Sequence, residues 1–403
     1  MARDLVASRR GGIASGESDV PGPDGRDPAS AARVRVVLAQ VGQSVTTWPK
    51  VLRSLTTGED LTAEEAAWAM NSILDGTATE AQIGGFAMAL RAKGESAGEV
   101  EAFVAVMLEH ARRVEHDFIA LDVVGTGGDA SHSVNISTMS ALVAAAAGAP
   151  IIKHGNRAAS SSTGTADVLE ELGIHIGLEP AQVAACAREA GIGFCFAPLH
   201  HPAMKYAAQA RRDLGVPTLF NILGPLANPG LAEAALVGCA DAERASVMAD
   251  VLHRRGVKAL VVRGDDGLDE ISTVTTTSVW DATGPEIIRT TLDPSELGIA
   301  SVDPDLLVGG DRVRNADLLR KALAGADADL GADRDRVLAI RDVVALNAAA
   351  ALVAYEAAMT GATGGTLLER ISDQLPRTRA IIASGAAMRV LEAWVKVCNK
   401  ITA

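Results

Sequence analysis

The stretch Val123-Val124-Gly125-Thr126-Gly127-Gly128-Asp129-Ala130 ends a short apolar run and opens a glycine-rich turn. Other short apolar runs along the chain are likewise followed by a turn containing glycine and usually by a helical pattern. The runs cover residues 120–124, 150–152, 193–196, 235–237 and 258–262. Strands that alternate with helices predict a parallel sheet covered on both faces. The expected fold is therefore α/β, with a mostly parallel central sheet.

A helical pattern covers residues 48–113, ahead of the first strand. Three helix starts within it carry the S/T-x-x-E/Q pattern, in which the hydroxyl and the acid or amide satisfy each other's backbone donors. They are Thr62 with Glu65, Thr79 with Gln82, and Ser96 with Glu99. Helical spacing returns at 202–214, before a Pro- and Gly-rich loop at 221–230, and we expect this segment to pack back on the first helices. The tail from 342 to 402 is again helical.

These patterns predict three parts of the chain. Residues 1–44 are a disordered leader, and its removal up to Gln40 should leave folding and activity intact because most of it is too polar and too rich in Gly and Pro to join a core. Residues 45–118 form a small all-helical domain, completed by 202–230. Residues 119–201 and 231–403 form the larger α/β domain.

Composition excludes several classes of protein. The chain has 403 residues and a net charge of −13, and 48% of its residues are hydrophobic. A disordered chain is excluded by that apolar content, and an acidic chain lacks the basic surface that binds nucleic acid. The four cysteines show no C-x-x-C spacing, which indicates free thiols in a reducing cytoplasm. No membrane segment is expected, since the apolar stretch 139–152 is shorter than a span of about 20 residues.

The glycine-rich turn satisfies G-x-G-x-x-A, the pattern of dinucleotide-binding folds. That function needs an acid about 20 residues later for the ribose, but no Asp or Glu lies between Asp129 and Asp167. Lys153, His154 and Arg157 follow the next strand instead, and cations there favour a phosphate-bearing ligand. We therefore reject a dinucleotide site.

The glycines still allow backbone N–H groups to approach an anion, and the helix starting near Ser137 adds its dipole. The alternative is an ordinary strand-to-helix turn whose Ser and Thr only cap the helix. The run Lys153-His154-Gly155-Asn156-Arg157, followed by serines, has no purpose in core packing. It favours the anion site.

Asp269 and Glu270 follow the strand at 258–262. They could hold hard cations, but an acidic solvated loop is the commoner origin of such a pair, and the sequence leaves both open. Gly309-Gly310-Asp311 has the pattern of an ordinary turn. His200 and His201 lack a third ligand at zinc spacing. Arg211 and Arg212 end a helix, where arginines often only complement the helix dipole.

Taken together, the ordered motifs resemble those of the anthranilate phosphoribosyltransferases, from about Trp48 to the C-terminus. The motifs are Gly125-Thr-Gly-Gly-Asp129, Asn135-Ile-Ser-Thr138, Lys153-His-Gly-Asn-Arg157, Phe196-Ala-Pro with His201-Pro-Ala, Arg211-Arg-Asp-Leu-Gly215, Phe220-Asn-Ile-Leu-Gly-Pro-Leu-Ala-Asn-Pro229 and Gly264-Asp-Asp-Gly-Leu-Asp-Glu-Ile271. The resemblance implies the class II phosphoribosyltransferase fold, shared with nucleoside phosphorylases. It also implies phosphoribosyl transfer from phosphoribosyl pyrophosphate to the amine of anthranilate, the second step of tryptophan biosynthesis from chorismate.

The resemblance also implies a set of site residues. Those matching the phosphoribosyl pyrophosphate contacts are Gly125, Gly128, Asp129, Ser133, Asn135, Ile136, Ser137, Thr138, Lys153, His154, Gly155, Asn156, Arg157, Ala158, Ala159, Ser160, Ser161 and Thr165. Those matching the ligands of two magnesium ions are Ser137, Asp269 and Glu270. Those matching the anthranilate contacts are Gly125, Asn156 and Arg211, with His201 lining the entry. The chain departs from the family at Ser133, usually Thr, and at Ala130, often Gly.

The same resemblance implies a homodimer joined through the helical domain, on the face around Trp68 and Phe86. Loss of pyrophosphate builds negative charge on the leaving group, so we expect magnesium, Lys153 and backbone donors to lower the barrier most. Anthranilate's amine is neutral and nucleophilic, so no catalytic acid or base is assigned. Two alternatives are kept in view. The run 153–157 and Asp269-Glu270 argue against a pyrimidine nucleoside phosphorylase, and the charge of −13 with intact ligand motifs argues against a non-catalytic relative that binds nucleic acid.

Overall fold

A seven-stranded sheet forms the centre of the protein in a computed structural model, which describes residues 45–157, 163–361 and 364–403. The strands are β1 Leu121–Gly125, β2 Ile151–Gly155, β3 Ile192–Phe196, β4 Ala234–Gly238, β5 Lys258–Gly264, β6 Thr277–Asp281 and β7 Ile288–Leu292. Their order is β3-β2-β1-β4-β5-β6-β7, parallel as far as β5 and antiparallel beyond it. The predicted α/β fold with a mostly parallel sheet is confirmed. The two antiparallel strands, β6 and β7, were not predicted.

Four neighbouring strands, β2, β1, β4 and β5, end in glycine. Gly125 and Gly238 lie side by side in the register of β1 and β4. Apart from these ends the strands are almost wholly buried, because helices cover both faces of the sheet. The glycine ends leave room above the carboxyl edge, where ligands bind in open parallel sheets.

Helices of the α/β region pack on this sheet or on one another. They are α5 Ile136–Ala146, α6 Thr165–Glu171, α7 Pro180–Ala190, α8 Ala197–His200, α11 Ala242–Arg254, α12 Arg312–Leu323, α13 Arg334–Thr360, α14 Leu367–Ala383 and α15 Ala386–Thr402. Among the described residues, the segment Gly331–Thr360 is the one helical stretch long and apolar enough to cross a membrane. It is 83% buried over its apolar window, as expected for a core helix.

Four helices precede the sheet: α1 Trp48–Thr56, α2 Ala63–Leu74, α3 Glu80–Lys93 and α4 Ala97–Glu109. The three predicted capping boxes are confirmed at the starts of α2, α3 and α4. Phe86 makes edge-to-face contacts with Trp48 and Phe103 and is fully buried. Its ring is therefore used inside the helical layer, and the dimer face expected around Trp68 and Phe86 stays a prediction. Trp68 is only partly buried.

A later segment returns to these helices. It contains a 3₁₀ turn at Pro202–Ala207, helix α9 at Ala208–Leu214 and helix α10 at Phe220–Leu226. Helix α9 packs on α3, as the sequence predicted. The prediction of a loop from residue 221 is wrong, because Phe220, Ile222 and Leu223 bury their side chains in the helical core. That burial outweighs the helix-breaking tendency of Gly224 and Pro225.

All four cysteines are free and buried, which confirms the prediction of free thiols. The predicted leader, residues 1–44, lies outside the described residues.

Candidate active site

The segment containing Asp269 and Glu270 lies across the ends of β1 and β4. A Cβ atom on Gly125 would collide with the Asp269 carboxylate, and one on Gly238 would collide with the Asp269 carbonyl oxygen. Gly238 is therefore required by a backbone contact, whereas a side chain at position 125 would have to displace the Asp269 carboxylate. Gly238 was not among the predicted site residues, and the only signal for it was its place at the end of a neighbouring strand.

The acid pair is not a solvated loop. Glu270 is 7% exposed, and Asp269 is partly buried, with its Oδ2 accepting a hydrogen bond from the Gly127 N–H at 2.6 Å. Burial, reinforced by the nearby charges of Glu270 and Asp129, raises the pKa of Asp269 well above its ordinary value. Burial also raises the pKa of Glu270 to about 7, although Lys153 opposes that shift. Carboxylates packed this closely favour the binding of a cation between them.

The glycine-rich loop has an unusual backbone. Gly127 and Gly128 have φ values of +66° and +81°, and Ala130 and His132 have φ values of +54° and +52°. Left-handed backbone costs a non-glycine residue roughly 1–2 kcal/mol, so the backbone is strained at Ala130. Asp129 is held inside the loop, where its Oδ2 accepts from the Ser131 hydroxyl at 2.6 Å.

Helix α5 starts at the end of this loop. The side chains of Ile136 and Thr138 are buried in the core, whereas Asn135 and Ser137 are partly exposed. In the run 135–138, only the side chains of Asn135 and Ser137 can therefore reach a ligand in this conformation. Asn135 occupies the N-cap position but makes no side-chain cap hydrogen bond.

Lys153 and His154 point to opposite faces of the sheet, as neighbours on a strand do. Lys153 is 1% exposed, and its ammonium donates to the Val123 carbonyl and to Ser137 Oγ at 3.2 Å. Burial lowers the pKa of Lys153, while the carboxylates of Asp122 and Glu270 oppose this. The lysine thus lies beneath Ser137 and compensates the buried acids.

On the other face, His154 Nδ1 lies 2.8 Å from the Gly224 carbonyl, and His201 Nε2 lies 2.8 Å from that of Ala227. Both carbonyls belong to the end of α10, and the two rings are 5.1 Å apart. Burial, first of all, lowers the pKa of His154 to about 3 and that of His201 to about 4, so both are neutral at pH 7. His201 is only 3% exposed, inside the protein rather than at an open entry.

The rest of the predicted phosphate segment is described only in part. Arg157 is exposed and pairs with Asp167 at 2.8 Å and Glu170 at 2.6 Å on α6. Asn156 is exposed and accepts a hydrogen bond from the Arg157 N–H. Thr165 begins α6 beside Gly155. The predicted contacts at Ala158, Ala159, Ser160 and Ser161 lie outside the described residues.

Arg211 and Arg212 differ in burial and in their partners. The Arg211 guanidinium is partly buried and lies 5.8 Å from the centre of the Phe220 ring, and burial lowers its pKa. Among the described residues, no carboxylate pairs with it. Arg212 is exposed and donates to Gln209. A partly buried cation without a counter-charge favours binding of an anion.

Two family models match the chain: the helical bundle domain of a glycosyl transferase family over residues 49–111, and its a/b domain over residues 117–388. An anthranilate phosphoribosyltransferase from Thermobifida fusca (strain YX) is 51% identical over 87% of this chain and 96% of its own length. One from Nocardioides sp. (strain ATCC BAA-499 / JS614) is 52% identical over 87% and 98%. The chain belongs to the anthranilate phosphoribosyltransferase family.

Solved structures of this family have the same fold. The anthranilate phosphoribosyltransferase from Thermus thermophilus matches with a TM-score of 0.77 and 36% identity, covering 87% of this chain and 99% of that one. The Saccharomyces cerevisiae enzyme in complex with PRPP and Mg matches with a TM-score of 0.76 and 25% identity, covering 88% and 98%. The fold of these solved structures thus accounts for most of the chain.

Within this family framework, the structure brings together Gly125, Asp129, Ser137, Asp269 and Glu270 at the carboxyl edge of the sheet. It directs His154 and His201 towards α10 instead. The sequence alone did not separate the residues at the carboxyl edge from the two histidines. The run 153–157 has the composition of one cationic cluster, and only the strand shows that its neighbouring side chains lie on opposite faces of the sheet.

Proposed function

We propose that phosphoribosyl pyrophosphate and anthranilate react at the carboxyl edge of the sheet, between the glycine-rich loop and the Asp269-Glu270 segment. As a member of its family, the chain transfers the phosphoribosyl group to the amine of anthranilate, giving N-(5-phosphoribosyl)anthranilate and pyrophosphate, the second step of tryptophan biosynthesis from chorismate. The buried acid pair beside the start of α5 is the observation that supports this position.

Ser137, Asp269 and Glu270 are the residues that would hold magnesium. Hydroxyl and carboxylate oxygens are the donors that Mg²⁺ prefers. Burial, together with neighbouring carboxylates, raises the pKa of both acids, and a bound cation would stabilise their charged forms. Within the described residues, no group of three or more His, Cys, Asp or Glu could hold a metal. Phosphate oxygens and water would therefore complete the coordination of the two ions proposed. Bound magnesium would neutralise charge on the departing pyrophosphate.

The chain's own contribution is mainly positioning. Backbone N–H groups of the loop and the N-terminus of α5 would bind phosphate oxygens. Lys153 would fix the Ser137 hydroxyl, to which it already donates, and add positive charge behind it. Since the amine of anthranilate needs no deprotonation before attack, correct placement of the two substrates would supply most of the rate.

Arg211 would bind the carboxylate of anthranilate through two parallel hydrogen bonds. Its support is the partly buried guanidinium without a protein carboxylate among the described residues. A solved relative from Saccharomyces cerevisiae contains 4-fluoroanthranilate. Gly125 and Asn156 are proposed to contact the same substrate, and His201 to support the wall behind it.

We also propose a division into a helical domain, 45–118 with 202–230, and an α/β domain, 119–201 with 231–403. The separate family models support it. A homodimer through the helical domain and a cytoplasmic location are proposed as well. Sedimentation at micromolar concentration tests the dimer, and a monomer would contradict it.

The activity is tested by the loss of anthranilate fluorescence in the presence of phosphoribosyl pyrophosphate and magnesium. Turnover that needs all three components is expected. Phosphorolysis of thymidine or uridine, with no consumption of anthranilate, would instead identify a pyrimidine nucleoside phosphorylase.

A further inference from the structure

Gly309-Gly310-Asp311 is more than the ordinary turn that the sequence predicted. Asp311 does cap α12, accepting from the Arg314 N–H at 2.9 Å. The residues before it, however, pair with the end of the glycine-rich loop: the Gly309 N–H donates to the His132 carbonyl at 2.8 Å, and the Val134 N–H donates to that of Leu307 at 2.9 Å. The turn is therefore joined to the proposed phosphate site.

A closed ring of hydrogen bonds links this turn to the start of α5. Asn135 Nδ2 donates to the Thr163 carbonyl at 3.4 Å, and Asn315 Nδ2 donates to Asn135 Oδ1 at 3.1 Å. The Gly310 N–H donates to Asn315 Oδ1 at 2.7 Å, and the Thr163 hydroxyl donates to the Gly310 carbonyl at 2.9 Å. The ring joins the loops after β1 and β2 to α12.

Backbone groups fix the orientation of both amides. A carbonyl accepts only, so Asn135 must turn its NH₂ to Thr163 and its oxygen to Asn315. The Gly310 N–H donates only, so Asn315 must turn its oxygen there and its NH₂ to Asn135. Asn315 is 3% exposed, and a Cβ on Gly309 would come within 2.6 Å of its Oδ1. The glycine is what allows this approach.

The ring has a consequence for α5. An N-cap asparagine normally turns its side-chain oxygen onto the N–H groups of the first helical turn, but that oxygen of Asn135 is occupied by Asn315 and makes no cap bond. The first turn of α5 is thus not closed by its own cap.

We propose that Asn315 is a positioning residue that holds Asn135 away from the N-terminus of α5, so that this terminus stays open to the phosphates of phosphoribosyl pyrophosphate. The proposal rests on the function proposed above. Without the Asn315 amide, Asn135 is free to rotate and cap α5, where it competes with the substrate.

The test compares Asn315→Ala, Asn315→Asp, Asn135→Ala and the double variant Asn135→Ala/Asn315→Ala. Asn315→Asp keeps the acceptor for the Gly310 N–H but sets an oxygen against Asn135 Oδ1. Both Asn315 variants should raise the KM for phosphoribosyl pyrophosphate about tenfold, the effect of one hydrogen bond, with little change in the KM for anthranilate. The double variant should be no worse than Asn135→Ala, because the competing cap no longer exists.

Thr378→Val is the matched control. Thr378 is buried as Asn315 is, and its hydroxyl donates to the Ala345 carbonyl. Both residues lie in helices of the α/β region, Thr378 on α14 and Ala345 on α13. Loss of this hydroxyl should lower the melting temperature without changing either KM. Binding is followed separately, as the rise in melting temperature on adding phosphoribosyl pyrophosphate with magnesium, and this rise should shrink in Asn315→Ala.

Two results would overturn the proposal: Asn315 variants that lose only thermal stability, as Thr378→Val does, or additive effects in the double variant. If the parent enzyme itself shows no stabilisation by phosphoribosyl pyrophosphate and no turnover, the proposed function fails instead.

Discussion

The carbonyl oxygen of Asp269 packs directly against the Cα of Gly238, and no side-chain atom fits between them. This contact sets the Asp269-Glu270 segment across the ends of β1 and β4. It also brings the Asp269 carboxylate to the Gly127 N–H, 2.6 Å away. One glycine on a buried strand thus decides where the acid pair lies.

Gly238→Ala is expected to displace that segment. The new Cβ collides with backbone rather than with a flexible side chain, so the strand or the acid segment must move, at a cost of about 3 kcal/mol. Gly98→Ala is the control, because a Cβ there meets nothing within 4 Å and lies in α4. It should stabilise the fold by up to about 1 kcal/mol. Chemical denaturation measures both, and equal stabilities would contradict the assigned contact.

Asp269→Asn/Glu270→Gln keeps the size of both side chains and removes two charges. The variant should fold, need much more magnesium, and lose mainly turnover, since a metal contributes most as the leaving group gains charge. Initial rates measured against magnesium concentration test this. A magnesium dependence and turnover equal to the parent's would place the metal site elsewhere.

The same acids predict a pH dependence of stability without magnesium. Glu270 has a pKa of about 7 in the folded protein against an ordinary 4.5, so the folded state holds its proton more tightly than the unfolded state. The free energy of unfolding should therefore fall as pH rises from about 4.5 through about 7, and remain lower above that.

Melting temperatures of the parent and the Asn/Gln double variant, measured between pH 5 and pH 8 in a chelator, test this dependence. The parent should lose more stability over this range than the variant does, and magnesium should restore part of the loss at pH 8. Parallel curves for the two proteins would show that the pair does not titrate in this range.

Arg211→Lys should raise the KM for anthranilate by about ten- to a hundredfold, because a point charge replaces a planar fork that binds a carboxylate twice. The KM for phosphoribosyl pyrophosphate should stay nearly constant. Arg212→Lys is the matched control on the next residue, exposed and bonded to Gln209, and should change neither constant. If Arg211→Lys raised the KM values for both substrates equally, Arg211 would only complement the dipole at the helix end and would not bind the carboxylate.

The sequence by itself determined the features that depend on near neighbours along the chain. Thr62 and Glu65, three residues apart, form their capping box whatever surrounds them, and the alternation of apolar runs with helices was enough for a mostly parallel sheet. The hairpin of β6 and β7 was missed because β7, at the edge, is largely exposed and lacks an apolar run.

Only the tertiary structure decided which way the site residues face and which of them are buried. Lys153 and His154 are adjacent in sequence, yet the strand sends one to Ser137 and the other to α10. For Asp269 and Glu270 the sequence left both a solvated loop and a cation site open, and their packing against Gly125 and Gly238 excludes the solvated loop. Asn315 gains its partner Asn135 only when α12 meets the loop after β1. Desolvation and hydrogen bonding between distant segments arise from packing, and no local pattern of residue types records them.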